Sequence, residues 1–453
     1  MFFVPYILVA FALIGYFIDK KIFNPITLFC GFWAFISQLA VSGQYGMIEV
    51  SRLVWQMILL GNASFFIACL VSRIFLDGMK LKFRNLEKIK KARGIQSFEE
   101  TETGGELNKT FIYGMLFITM TFSLWLSMKV IELMSKGISY GNIRNYYYGY
   151  GDTPPLIESN ILGRVNNWIV IPSIYLLIMV LVFTLIQRKG DKRLISLIVL
   201  DIFLFVFSSG GRFPLLFLAA EICTMISWKG ILLSKKIRRV ILFFMAILII
   251  GIFAVTKVRL SSSSSDLGFS IYSYFSIPVP LLSYWTNQIS LQEVQTYGGM
   301  TFYGFFSFIQ VFLNRLGMPL EFISNSAVWV NAVQEDWIII FNQPAKSYNA
   351  FVSVFFYFYS DFRMLGVVLG CFVSGVFCYL SYFKAFVKRG YKDILLFLLL
   401  VQGVITSMVR WPLAGVSFVI ALIFYRFILK YDSSMIGNTQ LRKVRIYFGA
   451  RRK

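Results

Sequence analysis

The stretch WIVIPSIYLLIMVLVFTLIQRKGDKR, Trp168 to Arg193, decides the fold. Residues 168–187 carry no charge, and five of the next six are charged. As a helix, twenty such residues cover ~30 Å, the thickness of a bilayer's hydrocarbon core. The segment around it, 167–187, is one of about eleven of the same kind. The others are 2–18, 22–41, 53–71, 110–128, 194–209, 213–227, 240–256, 364–383, 394–409 and 413–429. The expected fold is all-α: one polytopic membrane domain over residues 1–453, with span 2 kinked near Asn24-Pro25. Composition agrees, with 57% hydrophobic and 15% charged residues against about 25% charged in soluble domains. The first apolar run lacks a basic leader and a small-residue cleavage site, so it is expected to be a retained span.

Basic loops orient the spans. Cations follow spans 1, 3, 5, 7, 9 and 11, and this side is expected to be cytoplasmic. The basic loop 73–109, the loop 384–393 and the tail 430–453 then lie inside. The N-terminus, the Tyr/Gly-rich loop 129–166 and the large loop 257–347 between spans 8 and 9 lie outside. Segments 271–290 and 302–316 are apolar enough for re-entrant or interfacial helices. The net charge of +22 is thereby explained without a nucleic-acid partner. The chain has no histidine, which excludes His-based metal sites and His general bases. The five cysteines lie in apolar runs without metal-ligand spacing, so neither a metal nor a cofactor is expected.

The outer side departs from ordinary sorting. Under this topology the inner side has 19 Lys and 13 Arg, the outer side 4 Lys and 8 Arg. The positive-inside rule does not discriminate between the two residues, whereas a planar guanidinium fork suits phosphate and carboxylate. Arg212, Arg259, Arg363 and Arg410 abut predicted membrane boundaries and are candidates to seat a lipid-linked diphosphate. Snorkelling among lipid headgroups is the competing explanation. In the outer loop, Arg144, Tyr146, Tyr147 and Tyr148 form a candidate glycan surface, because aromatic faces stack on sugars and hydroxyls match sugar hydroxyls. An interfacial aromatic belt is the alternative there. Asp201 and Glu221 fall mid-span at similar depth, as a proton or substrate site or as structural hydrogen-bond partners. Asp361, two residues from Arg363, is the candidate acid/base carboxylate; a local pair with that arginine is the simpler alternative. Gly366, Gly370 and Gly375 mark a helix that approaches a neighbour closely.

Ser208-Ser209-Gly210-Gly211-Arg212, the stretch from Asn349 to Asp361-Phe362 running on to Gly366, and the hydropathy plan with its large outer loop resemble bacterial polysaccharide repeat-unit polymerases, the O-antigen and capsule (Wzy-type) family. The family often has glycine after the Asp-Phe pair, where this chain has Arg363. Some members carry an arginine followed eleven residues later by glycine in outer loops, a pair this chain lacks. The resemblance implies a multi-pass glycosyltransferase of the bacterial inner membrane without a nucleotide-sugar donor. It would join undecaprenyl-diphosphate-linked oligosaccharides on the outer face, with membrane lipids, a flippase and a chain-length regulator as partners. Arg212, Arg259, Arg363 and Arg410 would hold the diphosphate, Asp361 would act as base, and Arg144, Tyr146, Tyr147, Tyr148 and Asn349 would contact glycan. A lipid-linked oligosaccharide flippase is one alternative, and the long outer loop speaks against it. An O-antigen ligase-like transferase is another, and the missing histidine speaks against that. A small-molecule transporter would leave the outer arginines without a reason.

Overall fold

The computed structural model describes residues 2–92, 106–150, 153–187, 191–229, 267–318, 320–388 and 390–430. The chain is mostly helical. Helices α1 (Val4–Asp19), α2 (Pro25–Ser42), α3 (Arg52–Ala92), α4 (Lys109–Ser135), α5 (Ile143–Tyr148) and α6 (Asn160–Val165) come first. A π-turn, Asn166–Val170, leads into α7 (Ile171–Gln187), followed by α8 (Lys192–Ser209) and α9 (Phe213–Lys229). After the gap come α10 (Leu267–Ser276), α11 (Pro278–Leu291), α12 (Tyr303–Arg315) and α13 (Glu321–Glu335). The last helices are α14 (Ser353–Phe383), α15 (Tyr391–Thr406) and α16 (Val416–Phe424). Strands are minor: β1 (Glu106–Leu107) pairs antiparallel with β4 (Leu429–Lys430), and β2 (Ile338–Asn342) with β3 (Ala345–Tyr348).

Pro25–Ser42, Arg52–Gly78, Lys109–Ser135, Asn160–Leu185 and Ser353–Phe386 are long and apolar enough to cross a membrane. Val4–Asp19, Phe213–Trp228 and Val416–Phe427 are shorter apolar helices. The expected span 240–256 lies outside the described residues. Helix α7 is buried almost all round, from Ile174 to Phe183, as befits a helix that is apolar on every face. It packs against α8, α9, α15 and α16.

One sequence expectation is corrected, and the structure adds detail to two others. The expected kink at Asn24-Pro25 is a helix start: Asn24 caps α2, its Oδ1 accepting from the Thr27 amide at 2.9 Å, and proline suits the first turn. The expected loop from 73 begins as helix, since α3 runs to Ala92 through a stretch rich in Lys and Leu, both good helix formers. Within 257–347 the described residues form α10 to α13 and the β2–β3 hairpin, with helices over both apolar segments, 271–290 and 302–316. Helix α11 is buried against α14.

Helix α14 turns back on itself. Phe362 (φ −141°, ψ 30°) and Arg363 (φ 53°, ψ −142°) leave the helical region. A Cβ on Gly366 would fall on the Phe358 carbonyl, and one on Gly370 would lie 2.6 Å from the Phe358 ring. In a straight helix residues 358 and 370 would be ~18 Å apart. Residues 353–361 therefore run antiparallel to the longer arm 364–383, and Phe355 and Cys371, from the two arms, both face Gly61 of α3. Gly366 and Gly370 serve this reversal, while Gly375 admits the Phe65 carbonyl of α3. Every residue from Ser353 to Asp361 is buried.

The two ends of the bundle differ in chemistry. At one end Arg73 pairs with Asp19 at 2.5 Å, and the Tyr379 hydroxyl reaches the same carboxylate at 3.3 Å. Lys21 donates there to the Ser227 and Trp228 carbonyls, both at 3.2 Å. The C-terminal ends of α1, α9 and α14 thus lie together with the Arg73 turn in the middle of α3. The turn Gly210–Arg212 between α8 and α9 lies at the other end of α9.

Candidate functional site

The α8–α9 turn is built by its own small residues. The Ser209 hydroxyl donates back to the Phe205 carbonyl at 2.7 Å and accepts from the Gly211 amide at 3.2 Å. Gly210 takes φ 57°, which closes the helix and leaves Arg212 facing inward. Its guanidinium lies over the Tyr274 ring of α10, 5.6 Å from the centroid. It is also in electrostatic range of Arg144 and Tyr348.

Arg144 comes from α5. It lies over Tyr148, 5.6 Å from the ring centroid, and Tyr148 stacks on Tyr150 at 5.2 Å. The Tyr150 ring meets Trp337 edge-on at 5.5 Å and its hydroxyl bonds the Asn349 side chain. Asn349 is buried and donates to the Gln334 carbonyl, which fixes its amide.

Arg410 comes from the turn between α15 and α16. This turn is wider than Arg410-Trp411-Pro412, since α15 ends at Thr406 and α16 starts at Val416. The short arm of α14 holds it in place. Val352 and Ser353 amides donate to the Val409 carbonyl at 3.1 and 3.2 Å, the Val354 amide to that of Ser407 at 2.7 Å. Phe358 packs on Trp411 at 4.9 Å. Arg410 is in electrostatic range of Tyr150, Tyr175 and Tyr357.

Arg144, Arg212 and Arg410 thus share one surround of tyrosines, drawn from positions 266 residues apart. Among the described residues none of the three joins an ion pair, and the Arg212 Nε is buried without a hydrogen-bond partner. Burial pushes the Arg212 guanidinium down from its ordinary range; Tyr274 opposes this and the Arg144 charge adds to it. Arginine nevertheless stays protonated in proteins, so the region gathers three part-buried positive charges. Burial pushes the Tyr150 and Tyr348 hydroxyls up, against the opposing pull of the nearby arginines and of bonds from Asn349 and Ser273. Both remain hydroxyl donors at neutral pH.

Other sequence candidates lie elsewhere. Arg363 sits at the α14 reversal over the Tyr359 ring, 5.4 Å from the centroid, with Nη1 buried and unpartnered. Arg259 lies outside the described residues. Asp361 is fully buried and makes no ion pair with Arg363 among the described residues. Its Oδ1 accepts from the Thr296 hydroxyl at 2.6 Å and the Met300 amide at 3.1 Å, and its Oδ2 from the Thr301 amide at 2.8 Å. That carboxylate is used in tying the α14 tip to the loop before α12. Tyr147 is turned into the core, its hydroxyl accepting from Asn166 Nδ2 at 2.8 Å, while Tyr146 is half-buried. Asp201 and Glu221 are not a pair. Asp201 accepts from the Thr119 hydroxyl of α4, and Glu221 from Gln402 Nε2 of α15 at 2.5 Å.

Sequence reasoning missed Tyr150, Tyr274 and Tyr348. Tyr150 stands two residues after Tyr148, in the run NIRNYYYGYGD (142–152), but nothing local separates the tyrosine that turns inward from the one that faces the arginines. Comparison with protein-family models, characterised proteins and solved structures finds no match.

Proposed function

We propose that the chain is a lipid-linked oligosaccharide polymerase with about eleven spans, its arginine–tyrosine site open to the outer face of a bacterial cytoplasmic membrane. The observation that carries this reading is the gathering of Arg144, Arg212 and Arg410, without carboxylate partners among the described residues, beside tyrosine hydroxyls and Asn349. Three forks supply donors for a diphosphate, and tyrosine faces with hydroxyl donors suit the adjoining sugar. Together they match a sugar diphosphate lipid better than either a sugar or an anion alone.

In the reaction, a hydroxyl oxygen of one lipid-linked unit bonds to the anomeric carbon of the growing chain. The bond from that carbon to the diphosphate breaks, and the lipid diphosphate leaves with the electron pair. The hydroxyl proton passes to solvent or to the departing diphosphate. Cations fixed beforehand where that negative charge grows lower the barrier. Asp361 serves as a positioning residue in this scheme, because its oxygens are engaged away from any substrate. Partners would be the undecaprenyl-diphosphate-linked oligosaccharide and membrane lipids, with a flippase supplying units and a chain-length regulator; no metal or cofactor is invoked.

The test uses the full chain in nanodiscs with synthetic polyprenyl-diphosphate-linked repeat units, reading the product ladder by gel. Wild type should build a ladder. Arg212→Lys and Arg410→Lys should each slow it ~10²-fold, since lysine keeps the charge and loses the fork. No ladder from wild type, or wild-type rates from Arg212→Ala, overturns the reading.

A further inference from the structure

A groove of about 610 Å³ runs between α1 and α2. Its lining includes Pro5, Ala12, Thr27, Gly31, Phe35 and Gln38. The two helices are antiparallel, since Gly15 abuts Ile26 and Gly31 faces Ala12. Pro5 and Gln38 therefore mark one end. Gly31, with no side chain, and Ala12 and Ala34 give the groove its depth, and its walls are almost wholly apolar.

The Gln38 end leads to the arginines. Phe35 meets Phe275 edge-on at 5.3 Å, Phe275 meets Tyr274 at 5.3 Å, and Arg212 lies over Tyr274 at 5.6 Å. An unbroken aromatic surface thus joins the mouth of an apolar groove to an unpaired guanidinium. From Gln38 to Thr27 the groove descends ~16 Å along α2, away from the arginine end.

Resting on the polymerase reading, we infer that this groove seats the polyprenyl chain of the lipid whose diphosphate sits at Arg212. Bulk membrane lipid would also wet an apolar groove. What favours the substrate's own tail is continuity: one molecule with a diphosphate head and a long apolar chain touches both features at once. Its volume falls within the ~300–1,000 Å³ usual for small-molecule sites, so it holds the head-proximal part of such a chain and leaves the rest in the bilayer.

The experiment reads binding, not turnover. Full-length protein in phosphatidylcholine nanodiscs is photolabelled with a polyprenyl diphosphate carrying a benzophenone near its head-proximal isoprene units. Labelled residues are mapped by mass spectrometry. The expected result is label on Tyr6, Leu13 or Phe35, reduced at least tenfold by excess unlabelled polyprenyl diphosphate and not by excess phosphatidylcholine. R212A should lower labelling similarly, and G31L should block the groove. If G31L fails to fold, competition on wild type still decides. Label elsewhere, or groove label that polyprenyl diphosphate does not displace, overturns the inference as bulk lipid only. Saturable groove label without a product ladder would instead keep the tail site and sink the polymerase.

Discussion

Arg363 holds a backbone conformation close to one that is essentially reserved for glycine, and such residues cost on the order of 1–3 kcal/mol. Glycine would adopt it without strain, although it lowers the unfolded chain's order. Arg363→Gly should therefore keep or raise the thermal midpoint. If the guanidinium has a role at the site, the ladder shortens in the same variant; a stable, fully active Arg363→Gly would show that the side chain does nothing for activity. Two positions earlier, Asp361 holds three donors with two oxygens. An amide at that place turns donors toward donors, and hydrogen bonds to charged groups are worth about 1.5–3 kcal/mol. Asp361→Asn should lower stability and activity together. Loss of activity at an unchanged thermal midpoint would restore Asp361 as an acid/base group.

At the scale of elements, buried carboxylates meet neutral partners across helix interfaces, as Asp201 of α8 does with Thr119 of α4. Glu221 of α9 meets Gln402 of α15, whose amide also donates to the Tyr175 carbonyl of α7 at 2.9 Å. The pair therefore ties three helices. Glu221→Gln retains an acceptor for the Gln402 amide, and near-normal folding and activity are expected. Glu221→Leu strands a buried amide donor at about 1–3 kcal/mol and should reduce the yield of folded protein in a size-exclusion assay. A folded but inactive Glu221→Gln would mark a proton-carrying group instead. The α14 reversal is the other decisive element. Its short arm binds the Arg410 turn through Val409 and Ser407, so the position of Arg410 depends on a helix arm some fifty residues earlier in sequence.

The described residues place a polar clamp, at Asp19, Arg73 and Tyr379, at one end and an arginine–tyrosine site at the other. Under the proposed topology the clamp faces the cytoplasm. In a background lacking the five native cysteines, Ser139→Cys should react with an impermeant maleimide on intact cells. Lys20→Cys should react only after permeabilisation, both positions being exposed. The reverse pattern would turn the molecule over and put the arginine site inside.

Helical class, apolar segments and the charge asymmetry of the loops were legible in the sequence, because hydropathy, charge and helix propensity are local and additive along a run. The arm 364–383 and the turn at Gly210–Arg212 were legible for that reason. Which arginines share a site was not. That depends on the reversal at Phe362-Arg363 and on the burial of α11, and both arise from contacts between residues far apart in the chain. The quoted motifs likewise named Tyr147 and Asp361 as chemistry-bearing, while packing turned both inward: a tyrosine bonded to Asn166 and a carboxylate filled by Thr296, Met300 and Thr301. Residue type limits which chemistry a side chain offers. Only the fold decides whether that side chain faces a substrate or spends its hydrogen bonds on the protein itself.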